Sequence, residues 1–234
     1  MPEKHLSSGF DADLTLASTR LLEMGGLVEL QIARALSLLH AFDPDVVYAV
    51  LESEQRLNLM ELEIDGEVSN VIARRQPAAR DLRLLLAISK CTTNLERAGD
   101  EARKVAKRIR RIQANSEAPV IGIVEIKTSA EMAMSLLHGA LDAFARMDSA
   151  AAAHLVRDDV AIDNEFRAFT RGLIAEMTAD PRVVSTGLDY MVIAKAIERI
   201  GDHAKNIAEF VVYVVKGTDV RHVPAAQLEH EASS

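Results

Sequence analysis

ERAGDEARKVAKRI at residues 96–109 and ERIGDHAKNIAEFV at 198–211 agree at six of fourteen positions, 102 residues apart. ALSLLHAFD at 35–43 aligns in the same way with ALDAFARMD at 140–148, at an offset of 105. Two nearly constant offsets in separate segments mark an internal duplication. The first motif also lies on a seam of Leu84, Ile88, Cys91, Leu95, Ala98, Ala102, Val105, Ile109 and Ile112, whose steps of four and three are those of a bundle helix.

Working outward, Leu14, Leu21, Val28 and Ala35 recur every seven residues and predict a first helix over about 11–41. Asp43-Pro44 is a helix start, and the second helix, about 44–74, stops before Gln76-Pro77 because a residue ahead of proline disfavours the α region. The third runs to about 113. The second half repeats the plan with helices over about 120–147 and 149–178, a break at Asp180-Pro181, and a long helix to about 216. The expected fold is all-α, two tandem, pseudo-symmetric three-helix bundles: residues 1–113, a linker at 114–119, and 120–234 with its C-terminal tail.

The chain of 234 residues is 49% hydrophobic and 26% charged, with a formal net charge of −8. The single cysteine, Cys91, leaves nothing that requires an oxidising compartment, and the N-terminus lacks a signal-peptide pattern, so the expected location is the cytoplasm. An acidic balance with 4% aromatics and no Trp argues against nucleic acid as a partner. No P-loop, GxSxG, HExxH or dinucleotide fingerprint occurs.

The chemistry-bearing residues are carboxylates. Glu96 with Asp100, and Glu198 with Asp202, are four apart and share a helix face beside the apolar seam, where like charges repel unless a cation intervenes. Reflection about the inter-helix turn locates their partners. About Pro77, the first pair is level with Glu54 and Asn58; about Pro181, the second is level with Asp159 and Asp163. Glu61 and Asp65 are weaker candidates, because they reflect onto Ser89 and Thr93. Such all-oxygen sets favour a hard or borderline cation such as magnesium, manganese, calcium or iron, with zinc also in range. The bland alternative is a solvated helix face neutralised by Arg97, Arg103, Arg199 or Lys205. The ExxH pair of dimetal oxidases is absent, which weighs against oxidase chemistry.

Other features weigh less. His40, His138, His154 and His203 lack ligand spacing, Cys91 reads as a buried small side chain, and Met24-Gly25-Gly26 marks a kink or a close helix approach. Lys104, Lys107, Arg108, Arg110 and Arg111 read as a solvated helix end.

Two copies of ER[AI]GD, together with MGGLVELQIARAL, RRQPAARDLR, LDAFARMD and YVVKGTDVRH, resemble the PhoU family over nearly the whole chain. The resemblance implies two tandem three-helix bundles whose E(D)xxxD pairs bind divalent or trivalent metal ions, such as iron, zinc, manganese or magnesium. Glu96, Asp100, Glu198, Asp202, Asp159, Asp163 and Glu54 fit that pattern, whereas Asn58 replaces an acidic residue and weakens the first set. It also implies a cytoplasmic, non-enzymatic regulator that damps phosphate-starvation signalling and restrains phosphate uptake. Such a protein would link the ATPase subunit of a phosphate ABC transporter to a sensor histidine kinase, form a homodimer, and reach the membrane only through partners. Two alternatives are a metal-binding interaction scaffold without a phosphate role and a multinuclear-metal hydrolase.

Overall fold

The computed structural model describes residues 8–115 and 119–221; the remainder, including linker residues 116–118 and the tail from 222, lies outside the described residues. Six helices follow in order: α1 (Ser8–Ser37), α2 (Pro44–Arg75), α3 (Ala79–Gln113), α4 (Ile123–Arg146), α5 (Ser149–Ala179) and α6 (Val184–Lys216), with a short 3-10 turn at Pro181–Val183 before α6.

The punctuation acts as its chemistry requires. Asp43 caps α2 by accepting the Asp45 amide at 2.9 Å, with Pro44 at the first helical position, and Asp148 caps α5 by accepting the Ala151 amide. Gln76 ends α2 in a left-handed conformation just before Pro77, and Gly217 ends α6 at φ 81°, where the missing Cβ removes the steric cost. Two helices differ from expectation, and the fourth begins at Ile123 rather than at about 120. The first covers 8–37 rather than 11–41, and it ends early because the amides of Leu39 and His40 turn back to the carbonyls of Leu36 and Ser37 and tighten the chain.

α1, α2 and α3 pack on one another, as do α4, α5 and α6, so the chain forms two tandem three-helix bundles. The predicted seams of the first bundle lie in its core, with Leu21, Met24, Val28, Ile88, Cys91 and Leu95 essentially inaccessible, and Leu137, Ile193 and Ile197 are equally buried in the second. Burial pushes the Cys91 thiol well above its ordinary range, so it behaves as a small apolar group. Among the described residues no helix is long and apolar enough to cross a membrane.

The halves join through α3 on α6 and α1 on α4. Both pairs are antiparallel. Arg83 reaches the Val214 carbonyl, Asn94 meets His203, and Arg108 meets Asp189, so numbers fall along α6 as they rise along α3. Likewise Glu29 meets His138 and His40 meets Lys127. Gly25 answers the expectation for Met24-Gly25-Gly26: α1 is continuous, and a Cβ there would lie 2.7 Å from Leu141 Cδ2, so the glycine permits close approach to α4.

The basic end of α3 is not merely a solvated helix end. Arg108 and Arg111 hold the buried Asp189 of α6 at 3.0 and 3.3 Å, while Arg83, at the other end of α3, reaches the C-terminus of α6. The inter-bundle seam is therefore clamped at both ends.

Candidate functional site

The two ER[AI]GD motifs meet where α3 crosses α6, with Arg97 and Arg199 at one level, so a pseudo-twofold axis runs between the halves at this point. The motif glycines explain why carboxylates can stand so close to a neighbouring helix. A Cβ on Gly99 would lie 2.7 Å from both Leu57 Cδ1 and Gln31 Oε1, and one on Gly201 would lie 2.9 Å from Ile162 Cδ1 and 3.4 Å from Asp159 Oδ1. The glycines let α2 and α5 approach, which brings their acidic residues to the motif.

In the second half Glu198, Asp159 and Asp163 all lie near enough to Asp202 to act on its charge. Asp159 is 3% exposed and Glu198 9%, with Asp163 and Asp202 partly buried. Burial, followed by the charges of Glu198 and Asp159, pushes Asp202 up to about 6, with a further contribution from Asp163. Two ammonium groups answer this charge. Lys205 donates to Asp159 at 3.0 Å, and Lys195, which also lies 5.2 Å over the Phe166 ring, pairs with Glu198. Arg167 reaches Asp163 at 3.5 Å.

In the first half, Glu54 and Asp100 share Arg103 at 2.9 and 3.1 Å. Burial and then Asp100 raise the Glu96 pKa, and the next contributor is Glu61, ahead of Glu54. Glu61 thus acts on the charge of Glu96, whereas Asn58 is exposed. Helical rotation is the reason: about 100° per residue carries position 58 some 40° off the face of Glu54, and position 61 only about 20°. Asp65 is engaged elsewhere, accepting from Ser89 Oγ at 2.6 Å, which is the height the reflection about Pro77 gives.

Sequence reasoning foresaw Arg103 and Lys205 as neutralising cations but overlooked Lys195, whose signal is its three-residue spacing from Glu198. Among the described residues no group of three or more His, Cys, Asp and Glu side chains converges closely enough to hold a metal ion. The donor chemistry of both sets, all oxygen, nevertheless suits a hard cation. Binding one would require the internal cations to swing out, which the 42% exposed Lys195 and 24% exposed Arg103 side chains are placed to do. The histidines serve other contacts: His138 with Glu29, His40 with Lys127, His154 with Arg157 and His203 with Asn94.

A PhoU domain model matches residues 21–109 and again 126–211, one match in each bundle. A phosphate-specific transport system accessory protein PhoU homolog from Burkholderia sp is 52% identical over 233 residues, covering 99% of both chains. The phosphate-specific transport system accessory protein PhoU of Escherichia coli K12 is 38% identical over 97% of this chain and 93% of its own. Among solved structures, PhoU from Pseudomonas aeruginosa superposes with a TM-score of 0.86 at 42% identity, covering 89% of this chain and all of that one. The phosphate transport system regulatory protein PhoU from Streptococcus pneumoniae gives a TM-score of 0.83 at 25% identity, covering 90% and 99%.

Proposed function

The chain belongs to the PhoU family, and from that premise we propose that it is a cytoplasmic accessory regulator of phosphate transport. In this reading it damps phosphate-starvation signalling and restrains uptake when phosphate is plentiful. It acts as a homodimeric adapter between the ATPase subunit of a phosphate ABC transporter and a sensor histidine kinase, without turnover chemistry of its own. What carries the reading is likeness over nearly the full length to phosphate-transport accessory proteins, in a chain that has both copies of the paired carboxylate motif.

The acidic sets are the proposed metal sites: Glu198, Asp202, Asp159 and Asp163 in one half, and Glu96, Asp100, Glu54 and Glu61 in the other, with Asn58 at the margin. A divalent or trivalent ion there would supply a cross-link between adjacent helices rather than a reactive centre. The chain's own contribution is to gather oxygen donors at one height and to keep Arg103, Lys195 and Lys205 as exchangeable counter-charges.

The decisive experiment is a phosphate-starvation reporter, such as alkaline phosphatase activity, in phosphate-replete cells with and without this gene. The reporter should rise on deletion and fall on complementation; a reporter that does not move sinks the regulatory reading.

A further inference from the structure

Between the two motifs, on the pseudo-twofold axis, α3 and α6 open a groove of about 490 Å³ whose walls include Arg97, Glu101, Lys104, Arg199, His203 and Asn206. At the 102-residue offset these are three equivalent pairs: Arg97 with Arg199, Glu101 with His203, and Lys104 with Asn206. The symmetry is broken in its charges. Glu101, 4% exposed, accepts from Arg199 at 3.2 Å and from Lys104 at 2.7 Å. The matching partner of Arg97 would be residue 203, which is histidine and is engaged with Asn94 Oδ1 at 3.1 Å. Arg199 therefore has a carboxylate across the axis and Arg97 has none; among the described residues Arg97 makes no ion pair or hydrogen bond.

The remaining charges on the walls turn to other partners. Asp100 is held by Arg103, and Lys205 by Asp159. Asp202, on the α6 rim, has Glu198, Asp159, Lys195 and Asp163 as electrostatic neighbours outside the groove and Lys205 on its wall. The walls carry four cations, Arg97, Lys104, Arg199 and Lys205, against three carboxylates, Asp100, Glu101 and Asp202, and of those cations Arg97 alone lacks an ion pair among the described residues. Two guanidinium groups at one level are suited to a tetrahedral oxyanion, because each planar fork matches a pair of its oxygens.

We propose that this groove binds a small phosphate-type oxyanion between Arg97 and Arg199, giving Arg97 the anionic partner that Glu101 already gives Arg199. Asp100 and Asp202 of the acidic sets share its walls, so phosphate binding is tested on metal-free protein, and it does not rest on the regulatory role proposed above.

The test is titration of metal-free protein with inorganic phosphate at constant ionic strength, by calorimetry and 31P NMR. Wild type should bind saturably, one phosphate per chain. Arg97→Gln and Arg199→Gln should each weaken binding about tenfold or more, and Arg97→Lys should recover part of the loss. Arg182→Gln removes an exposed guanidinium paired with Asp180 outside the groove and should leave affinity unchanged. His203→Glu supplies the missing carboxylate and should block binding while the helical circular dichroism is retained. Tighter Arg97-dependent binding of a nucleoside monophosphate than of orthophosphate would assign the site to the phosphoryl group of a metabolite; the reverse order assigns it to the free ion. Lack of saturation at millimolar phosphate, or equal affinity in wild type and both glutamine variants, overturns the proposal.

Discussion

Arg103 and Lys205 stand at equivalent places in the two halves, and each closes an ion pair with a carboxylate of the neighbouring helix, Arg103 with Glu54 at 2.9 Å and Lys205 with Asp159 at 3.0 Å. The duplication has preserved the position of the cation while changing its chemistry, and the carboxylate faced by Lys205 is the more deeply buried one.

Removing that cation should therefore matter more in the second half. Lys205→Gln leaves Asp159 buried without its ammonium and should destabilise metal-free protein by about 2–4 kcal/mol in urea unfolding. Arg103→Gln, whose partners are better solvated, should cost about 1 kcal/mol. If the acidic sets hold metal, manganese should raise the unfolding temperature of Lys205→Gln more than that of wild type. An equal shift in both would show that Lys205 does not compete with the cation.

Asp202 gives a pH dependence whose sign can be worked out. Its native pKa, about 6, lies above the ordinary carboxylate value, so the native state holds this proton more tightly than the unfolded chain. The stabilisation it contributes is full below about pH 4 and is lost as pH rises through about 6. In metal-free protein Asp202→Asn should accordingly be more stable than wild type at pH 7, by about 1 kcal/mol after allowance for solvent screening. The gap should close by pH 4. A variant equally destabilised at both pH values would show a hydrogen bond outweighing the repulsion.

Two helical glycines, Gly26 of α1 and the motif's Gly99, separate packing from helix propensity. Gly26→Ala meets nothing within 4 Å and should stabilise by about 0.5–1 kcal/mol through propensity alone. Gly99→Ala drives a methyl into Leu57 and Gln31 and should cost about 1–3 kcal/mol despite the same propensity gain. Urea midpoints at constant slope would measure both, and similar shifts in the two variants would refute the close-approach account.

At the clamp, the order of losses is diagnostic. Asp189 is 5% exposed while Arg108 and Arg111 are well solvated, so Asp189→Ala should cost only about 1–2 kcal/mol. Arg108→Ala with Arg111→Ala strands the buried carboxylate and should cost about 3–5 kcal/mol. Calorimetric melting of both variants side by side would reverse this ranking if the clamp were a surface pair.

Much of the architecture was legible in the sequence because the apolar seams are long, regular and punctuated by Asp-Pro and Gln-Pro. The reflection about Pro77 held to the residue at Asp65 and Ser89. Reflection, however, fixes height along a helix and carries no information about rotation around it. That is why Asn58 ranked above Glu61, although seven residues from Glu54 keeps the face better than four. Lys195 went unnoticed for a different reason: the cations weighed, Arg97, Arg103, Arg199 and Lys205, lie within or after the motif, whereas Lys195 precedes it. The roles of Arg108 and Arg111 depend on how the two bundles dock, and neither half's pattern encodes that.

The antiparallel crossing of α3 and α6 about a pseudo-twofold has the form of an isologous interface, in which each surface meets a copy of itself. Two identical subunits joined in that way would be bound by their symmetry: any substitution at one place would appear at the other, and Arg–Glu pairs across the axis would come as two or not at all. Carrying both copies on one polypeptide removes the constraint. Glu101 can remain glutamate while its counterpart becomes His203, and a balanced pair of contacts becomes a single unequal one. What covalent linkage adds to this architecture is therefore the freedom to be different on its two sides.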